Sequence, residues 1–134
     1  MNDKELIELA LKARYNAYCP YSSIAVGAAL LTDGGEVYLG ANIENASFSP
    51  TVCAERVAFF KAINAGEKSF KKIAIAGGKH SKTPNSFFYP CGVCRQVMIE
   101  FCGKDFEIIV ATGAESEKYT LGELMPHSFS GELI

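Results

Sequence analysis

Five cysteines, at positions 19, 53, 91, 94 and 102, are the side chains in this 134-residue chain best suited to chemistry, and one pair among them has a metal-type spacing. Pro90-Cys91-Gly92-Val93-Cys94 opens a predicted helix. Two thiols three positions apart there share one helical face and lie close enough to hold an ion together. A helix N-terminus carries partial positive charge and free N–H groups, which favour the thiolate a metal needs. A lone Cys-x-x-Cys also serves as a redox pair, but such a pair belongs beside a thioredoxin-like βαβ unit. A third ligand decides between them. Cys53, in the first turn of another predicted helix and two residues before Glu55, is the candidate. Three protein ligands with a neighbouring carboxylate form the pattern of a catalytic zinc site, with one Zn2+ per chain. The fourth position stays open for water, whose pKa the metal lowers, and Glu55 beside it moves the proton.

Two details qualify that pattern. Residues two apart on a regular helix point about 200° apart, so Cys53 and Glu55 converge only where the first turn is open. Three thiolates on a divalent ion leave a net charge of −1, and Arg56 directly follows Glu55. Its guanidinium is the expected partner that draws charge away from the sulfurs. Cys19 and Cys102 have no such company and read as structural, and His80 and His127 read as surface residues.

Composition limits what such a site serves. The chain is 49% apolar and 21% charged, the balance of a soluble globular protein, and its length suits a single domain over residues 1–134. A net charge of −2 argues against a nucleic-acid partner. No apolar run reaches the roughly 18 residues needed to span a bilayer, and Met1-Asn2-Asp3-Lys4-Glu5 does not read as a secretory signal. An odd cysteine count without an export signal speaks against a disulfide framework. The expectation is a cytoplasmic protein.

The elements that must position the site follow from pattern. Leu6, Leu9, Ala10, Ala13 and Ala17 predict an amphipathic helix over the first eighteen residues, with Asn2 and Glu5 as a capping box and Pro20 as its stop. Residues 23–31 and Val37-Tyr38-Leu39 form a predicted hairpin around Thr32-Asp33-Gly34-Gly35. A helix is expected from Val52 to Ala65, a strand over 72–77, a helix from Pro90 to Cys102 and a strand over 106–111. Lys118-Tyr119-Thr120 reads as a short fifth strand, and Leu121 to Met125 as one helical turn. Phe87, Phe88 and Tyr89 close an otherwise polar loop, so part of that loop is expected to pack. An antiparallel hairpin followed by strand–helix–strand alternation predicts an α/β fold, a three-layer α/β/α sandwich around a mixed five-stranded sheet.

Cys53-Ala54-Glu55 followed by Pro90-Cys91-Gly92-Val93-Cys94 resembles the small, zinc-dependent cytidine deaminases of the free-nucleoside type. The likeness extends over Tyr21-Ser22-Ser23, Val26 to Leu31, Asn42-Ile43-Glu44-Asn45-Ala46, Arg95-Gln96-Val97 and Leu124 to Phe129, nearly end to end. The resemblance implies that Cys53, Cys91 and Cys94 bind zinc and that Glu55 is the catalytic proton shuttle. It implies that Asn42 and Glu44 bind the ribose hydroxyls and that the Ala54 backbone meets the base. It further implies a homotetramer with active sites shared across subunit interfaces, in which Phe129 of a neighbouring subunit packs on the cytosine ring. Two positions depart from the pattern: Ile24 stands where the family commonly has phenylalanine, and Phe48 where it often has tyrosine.

The implied reaction is hydrolytic deamination of cytidine and deoxycytidine to the uridines plus ammonia, in pyrimidine salvage. A deaminase of a nucleoside antibiotic such as blasticidin S is the nearest rival, and Asn42-x-Glu44 favours the plain ribose. A polynucleotide editor fits the acidic chain poorly. A purely structural zinc module needs a fourth cysteine or histidine where Glu55 stands, and none is there.

Overall fold

The computed structural model describes residues 1–134. Five strands form one sheet: β1 (Ile24–Thr32), β2 (Val37–Ala41), β3 (Phe70–Lys79), β4 (Glu107–Ala111) and β5 (Ser116–Thr120), in the spatial order β2-β1-β3-β4-β5. β3 and β4 run parallel, joined by a helical crossover, and every other neighbouring pair is antiparallel. Helix α1 (Asp3–Ala13) covers one face. Helices α2 (Ala54–Asn64), α3 (Gly92–Phe101) and the single turn α4 (Leu121–Leu124) cover the other. The mixed α/β/α sandwich is the one the sequence predicts.

Two buried faces explain why the central strands are apolar almost throughout. Ala28, Leu30, Ile73, Ile75, Ile108 and Val110 point toward α2 and α3. Their alternates Ala29, Leu31, Ala74, Ala76 and Ile109 point toward α1. Ala29, Ala74 and Ala76 keep the middle of the α1 face low, and the helix sits close: a Cβ on Gly27 would lie 2.0 Å from the Ala10 carbonyl oxygen.

Several boundaries differ from expectation. The first helix carries its capping box, Asn2 with Glu5, but leaves α geometry at Ala13 and continues as one 3-10 turn to Asn16. Non-local pairing draws the chain away: the Tyr18 amide donates to Asn42 O, and the Glu44 amide donates to Tyr18 O. The second and third helices each begin two residues later than their sequence signals suggest, because Cys53 and Cys91 are N-caps with extended backbones. β3 is longer than predicted at both ends, and β5 starts at Ser116, held by β4 rather than by its own polar sequence. No helix is long and apolar enough to cross a membrane.

Candidate metal centre and active-site cleft

Two helix N-termini meet on one side of the sheet, and each begins with a cysteine. Cys53 caps α2 and Cys91 caps α3, neither side chain making a cap hydrogen bond, while Cys94 lies one turn into α3. The three sulfurs form one group: Cys53 Sγ lies 3.7 Å from Cys91 Sγ, Cys91 Sγ lies 3.5 Å from Cys94 Sγ, and all three fall within 4.8 Å of one another. Tetrahedral Zn–S bonds of about 2.3 Å require sulfurs about 3.8 Å apart. The donor set therefore fits zinc in both chemistry and spacing. Neither Cys19 nor His127 belongs to the group.

The cap position also removes the angular objection. Cys53 has extended backbone (φ −76°, ψ 155°), so it is not separated from Glu55 by two regular helical steps. Gly40 lets that helix start dock on the sheet, since a Cβ there would lie 2.2 Å from Ala54 O and 2.6 Å from Ala58 N.

The electrostatics favour ionised sulfur. Hydrogen bonding from the Cys94 thiol, with help from Arg56 and Cys91, holds the Cys53 thiol down at about 5 against the opposing effect of burial. The same contact, together with burial, pushes Cys94 up, as expected of sulfurs sharing a proton. Arg56 Nη2 donates to Cys53 Sγ at 3.5 Å, and its contacts with the sulfurs outweigh burial and keep it charged. Cys102, by contrast, is pushed up to about 12 by burial and has no metal partners.

Glu55 is only 4% exposed, and its Oε1 has no hydrogen-bond partner in the protein. Burial, reinforced by the charge on Cys53, pushes its carboxyl up to about 7. An unpaired buried carboxylate oxygen is costly for a fold, and it marks a group held ready for something that enters the cleft.

That cleft, about 270 Å³, is lined by Cys53, Ala54, Glu55 and Cys91 together with Asn42, Glu44 and Ile24. The structure thus brings most of the sequence-predicted residues to one place. Asn42 is a clasp as well as a lining residue: its Oδ1 accepts from Val26 N and its Nδ2 donates to Ile24 O, both at 2.8 Å. Glu44 accepts from the Tyr21 and Ser22 amides and from the Ser22 hydroxyl, which hold its carboxyl below the ordinary range. Phe48 faces an adjoining cleft with Tyr21, to which it packs edge-on at 6.2 Å between ring centroids.

Phe129 is outside the cleft. It is 57% exposed, and its carbonyl accepts from Gln96 Nε2 at 2.9 Å. Four further residues belong to the site without a role assigned from sequence: Val26 and Arg95 lie in segments that carry the resemblance, and Phe88 and Tyr89 lie outside them. Val26, Phe88 and Tyr89 line the cleft. Arg95 donates to Pro90 O at 2.7 Å and Leu124 O at 2.5 Å, fixing the backbone just before Cys91. The aromatic cluster before Pro90 is the one sequence signal that pointed toward this wall.

Known proteins agree with this arrangement. Residues 1–111 match the family described as "Cytidine and deoxycytidylate deaminase zinc-binding region". The chain is 44% identical to a cytidine deaminase of Sporosarcina psychrophila, over 98% of this chain and 94% of that one. It is 43% identical to a cytidine deaminase of Halalkalibacterium halodurans, over 98% and 97% respectively. A crystal structure of cytidine deaminase from Burkholderia pseudomallei superposes with a TM-score of 0.88 at 42% identity, covering 96% of this chain and all of that one. Sequence, fold and sulfur geometry converge, and the chain belongs to the zinc-binding cytidine and deoxycytidylate deaminase family.

Proposed function

We propose that this chain is a zinc-dependent cytidine deaminase that converts cytidine and deoxycytidine, with water, to uridine and deoxyuridine plus ammonia. The observation that carries the reading is the unpartnered Glu55 Oε1, buried in a cleft lined by Cys53 and Cys91, two of three sulfurs spaced for zinc. Zinc held by Cys53, Cys91 and Cys94 supplies Lewis acidity that makes a water nucleophilic near neutral pH. Glu55 accepts a proton from the water that attacks C4 of the base. It returns that proton to N3, then takes the proton of the new C4 hydroxyl and passes it to the amine as the C4–N bond breaks and C4=O forms, so one carboxyl acts in turn as base and acid. Its Oε1, without a partner in the protein, is free for these transfers. Arg56 offsets the surplus negative charge on the sulfurs.

Asn42 and Glu44 bind the ribose hydroxyls at the other end of the cleft, and the Ala54 backbone meets the base. Glu44 arrives already ionised and fixed by Ser22, a good acceptor for a sugar hydroxyl. The chain works as one deaminase domain in the cytoplasm, in pyrimidine salvage. Its assembly is a homotetramer with shared active sites, in which Phe129 reaches a neighbour's cleft. Exposed Phe129, Phe48, Phe60 and Phe101 supply apolar surface for such contacts.

The test follows the loss of cytidine absorbance in a sample whose zinc content is measured, with blasticidin S assayed in parallel. Turnover of cytidine that tracks zinc supports the reading, and zinc-loaded protein inert toward cytidine overturns it. Light scattering should give about 58 kDa, four copies of the 14.5 kDa chain; an active monomer contradicts the shared site.

A further inference from the structure

The cleft has two aromatic wall residues, Phe88 and Tyr89, and they are held in different ways. Phe88 is locked. Its ring carbons lie 2.7 Å from where a Gly77 Cβ would stand, so the ring rests on the glycine backbone in space no other residue would leave. Tyr89 is 45% exposed, and its hydroxyl donates to Glu117 Oε1 at 3.1 Å. Tyr119 donates to the same oxygen at 2.8 Å, and its ring packs edge-on to Tyr89 with centroids 5.9 Å apart. Glu117 and Tyr119, alternate residues of β5, share a strand face. They tether the tip of Tyr89 to β5, while Tyr89 itself borders the cleft.

We propose that Tyr89 sets how large a substituent the pyrimidine can carry at position 5, with the Glu117–Tyr119 pair fixing where its ring stands. This rests on the deaminase reading above. There, Glu55 on α2 serves N3, one of the two ring neighbours of the attacked C4. The other neighbour, C5, then faces away from α2, toward the segment that leads into α3. Tyr89 lies in that segment, two residues before Cys91, and both line the same cleft. Glu44 and Thr51 are shared with the adjoining cleft that holds Phe48, which places the sugar end away from Tyr89. A ring tethered at its tip presents a firm edge to small groups and a movable one once the tether is cut.

The test compares kcat/KM for cytidine, 5-methylcytidine and 5-iodocytidine in the zinc-loaded parent, Tyr89→Ala, Tyr89→Phe and Glu117→Gln proteins. Calorimetric binding of uridine and 5-iodouridine to the same samples gives a readout independent of turnover. The parent should prefer cytidine over 5-iodocytidine. Tyr89→Ala should shrink that preference by about tenfold or more, the usual worth of a group of this size in a pocket. Tyr89→Phe and Glu117→Gln should shrink it less, in the same direction, and binding should follow. A parent indifferent to the 5-substituent overturns the proposal, as does a Tyr89→Ala preference within twofold of the parent's. Should Tyr89→Ala fail to fold, an unchanged preference in Tyr89→Phe overturns it equally. A zinc-loaded parent that leaves cytidine itself untouched refutes the deaminase reading instead.

Discussion

Replacing Gly40 by alanine adds one methyl group to β2, against the start of α2, and should damage both the fold and the metal centre. The added carbon would lie 2.2 Å from the Ala54 carbonyl oxygen and 2.6 Å from the Ala58 amide nitrogen. Ordinary contacts begin near 3.4 Å, so the start of α2 must withdraw by about 1 Å. Both atoms are helix backbone and cannot swing aside as a flexible side chain would. Overpacking of this kind costs about 1–3 kcal/mol, and a rigid backbone contact belongs at the upper end. The displaced turn carries Cys53 and Glu55, while Cys91 and Cys94 stay with α3. A misplacement of about 1 Å lowers turnover by about 10²-fold, and one lengthened sulfur contact should also loosen zinc. The measurements are urea unfolding, zinc per chain and kcat, with Gly34→Ala as the control. A Cβ at Gly34 meets only Thr32 Oγ1, at 3.8 Å. A Gly40→Ala protein with the control's stability, zinc content and turnover would falsify the claim that this glycine seats the helix.

Glu55→Gln should keep the fold and zinc while losing turnover by at least ~10²–10⁴, the worth of a positioned acid–base group; near-normal kcat in zinc-loaded variant protein refutes the assignment. Arg56→Ala removes a charged hydrogen bond to Cys53, worth about 1.5–3 kcal/mol, and should slow turnover roughly ten- to a hundredfold with weaker zinc retention or a more alkaline pH profile. Unchanged values for all three would make the Cys53 contact incidental. Asp3→Asn should cost about 1–2 kcal/mol at neutral pH, because it strips Lys72, only 8% exposed, of its carboxylate; partial exposure of Asp3 keeps the figure below that of a fully buried pair. Lys118 and Lys72 lower the Asp3 pKa below its usual 3.8. The paired carboxylate therefore stabilises above that value and loses its effect as pH falls through the native one, so the parent–variant gap should close in acid. A gap that does not narrow at all as pH falls below 3.8 contradicts the ion-pair account. Stripping the metal with a chelator should lower the melting temperature and zinc should restore it; equal melting with and without metal shows that the sulfurs do not couple zinc to the fold.

Features set by local chemistry were legible in the sequence, and features set by distant contacts were not. The hairpin turn needs a left-handed residue, and Gly35, at φ +92°, announces it. The capping box at Asn2 is visible within four residues. The end of α1 is a different case. Pro20 predicts a stop near residue 18, yet the helix ends earlier because Tyr18 pairs with the segment around Asn42 and Glu44. β5 is polar and nearly featureless, and becomes a strand because β4 offers an unpaired edge. Within the site, metal ligation demands particular residue types at particular spacings, so Cys53, Cys91, Cys94 and Glu55 stand out. Phe88 and Tyr89 carry no comparable requirement. Their place in the cleft depends on Gly77, Glu117 and Tyr119, which sequence distance conceals.

The treatment of helix starts separates structural duty from chemical duty. α1 and α4 have complete capping boxes, Asn2 with Glu5 and Thr120 with Glu123, in which side chains satisfy free amides in both directions. α2 and α3 start at cysteines whose side chains make no cap bond at all. Forgoing a good N-cap costs about 1 kcal/mol per helix. The residue types that cap well offer hard oxygen donors, whereas the sulfur at the same position makes no cap bond and faces a second sulfur across the gap. Both helix ends also direct positive charge toward the sulfurs, which lowers the cost of holding them ionised. The fold is thus weakest, in capping terms, where α2 and α3 meet, and a divalent ion held by Cys53 and Cys91 would restore there the tie that conventional caps would have made within each helix separately.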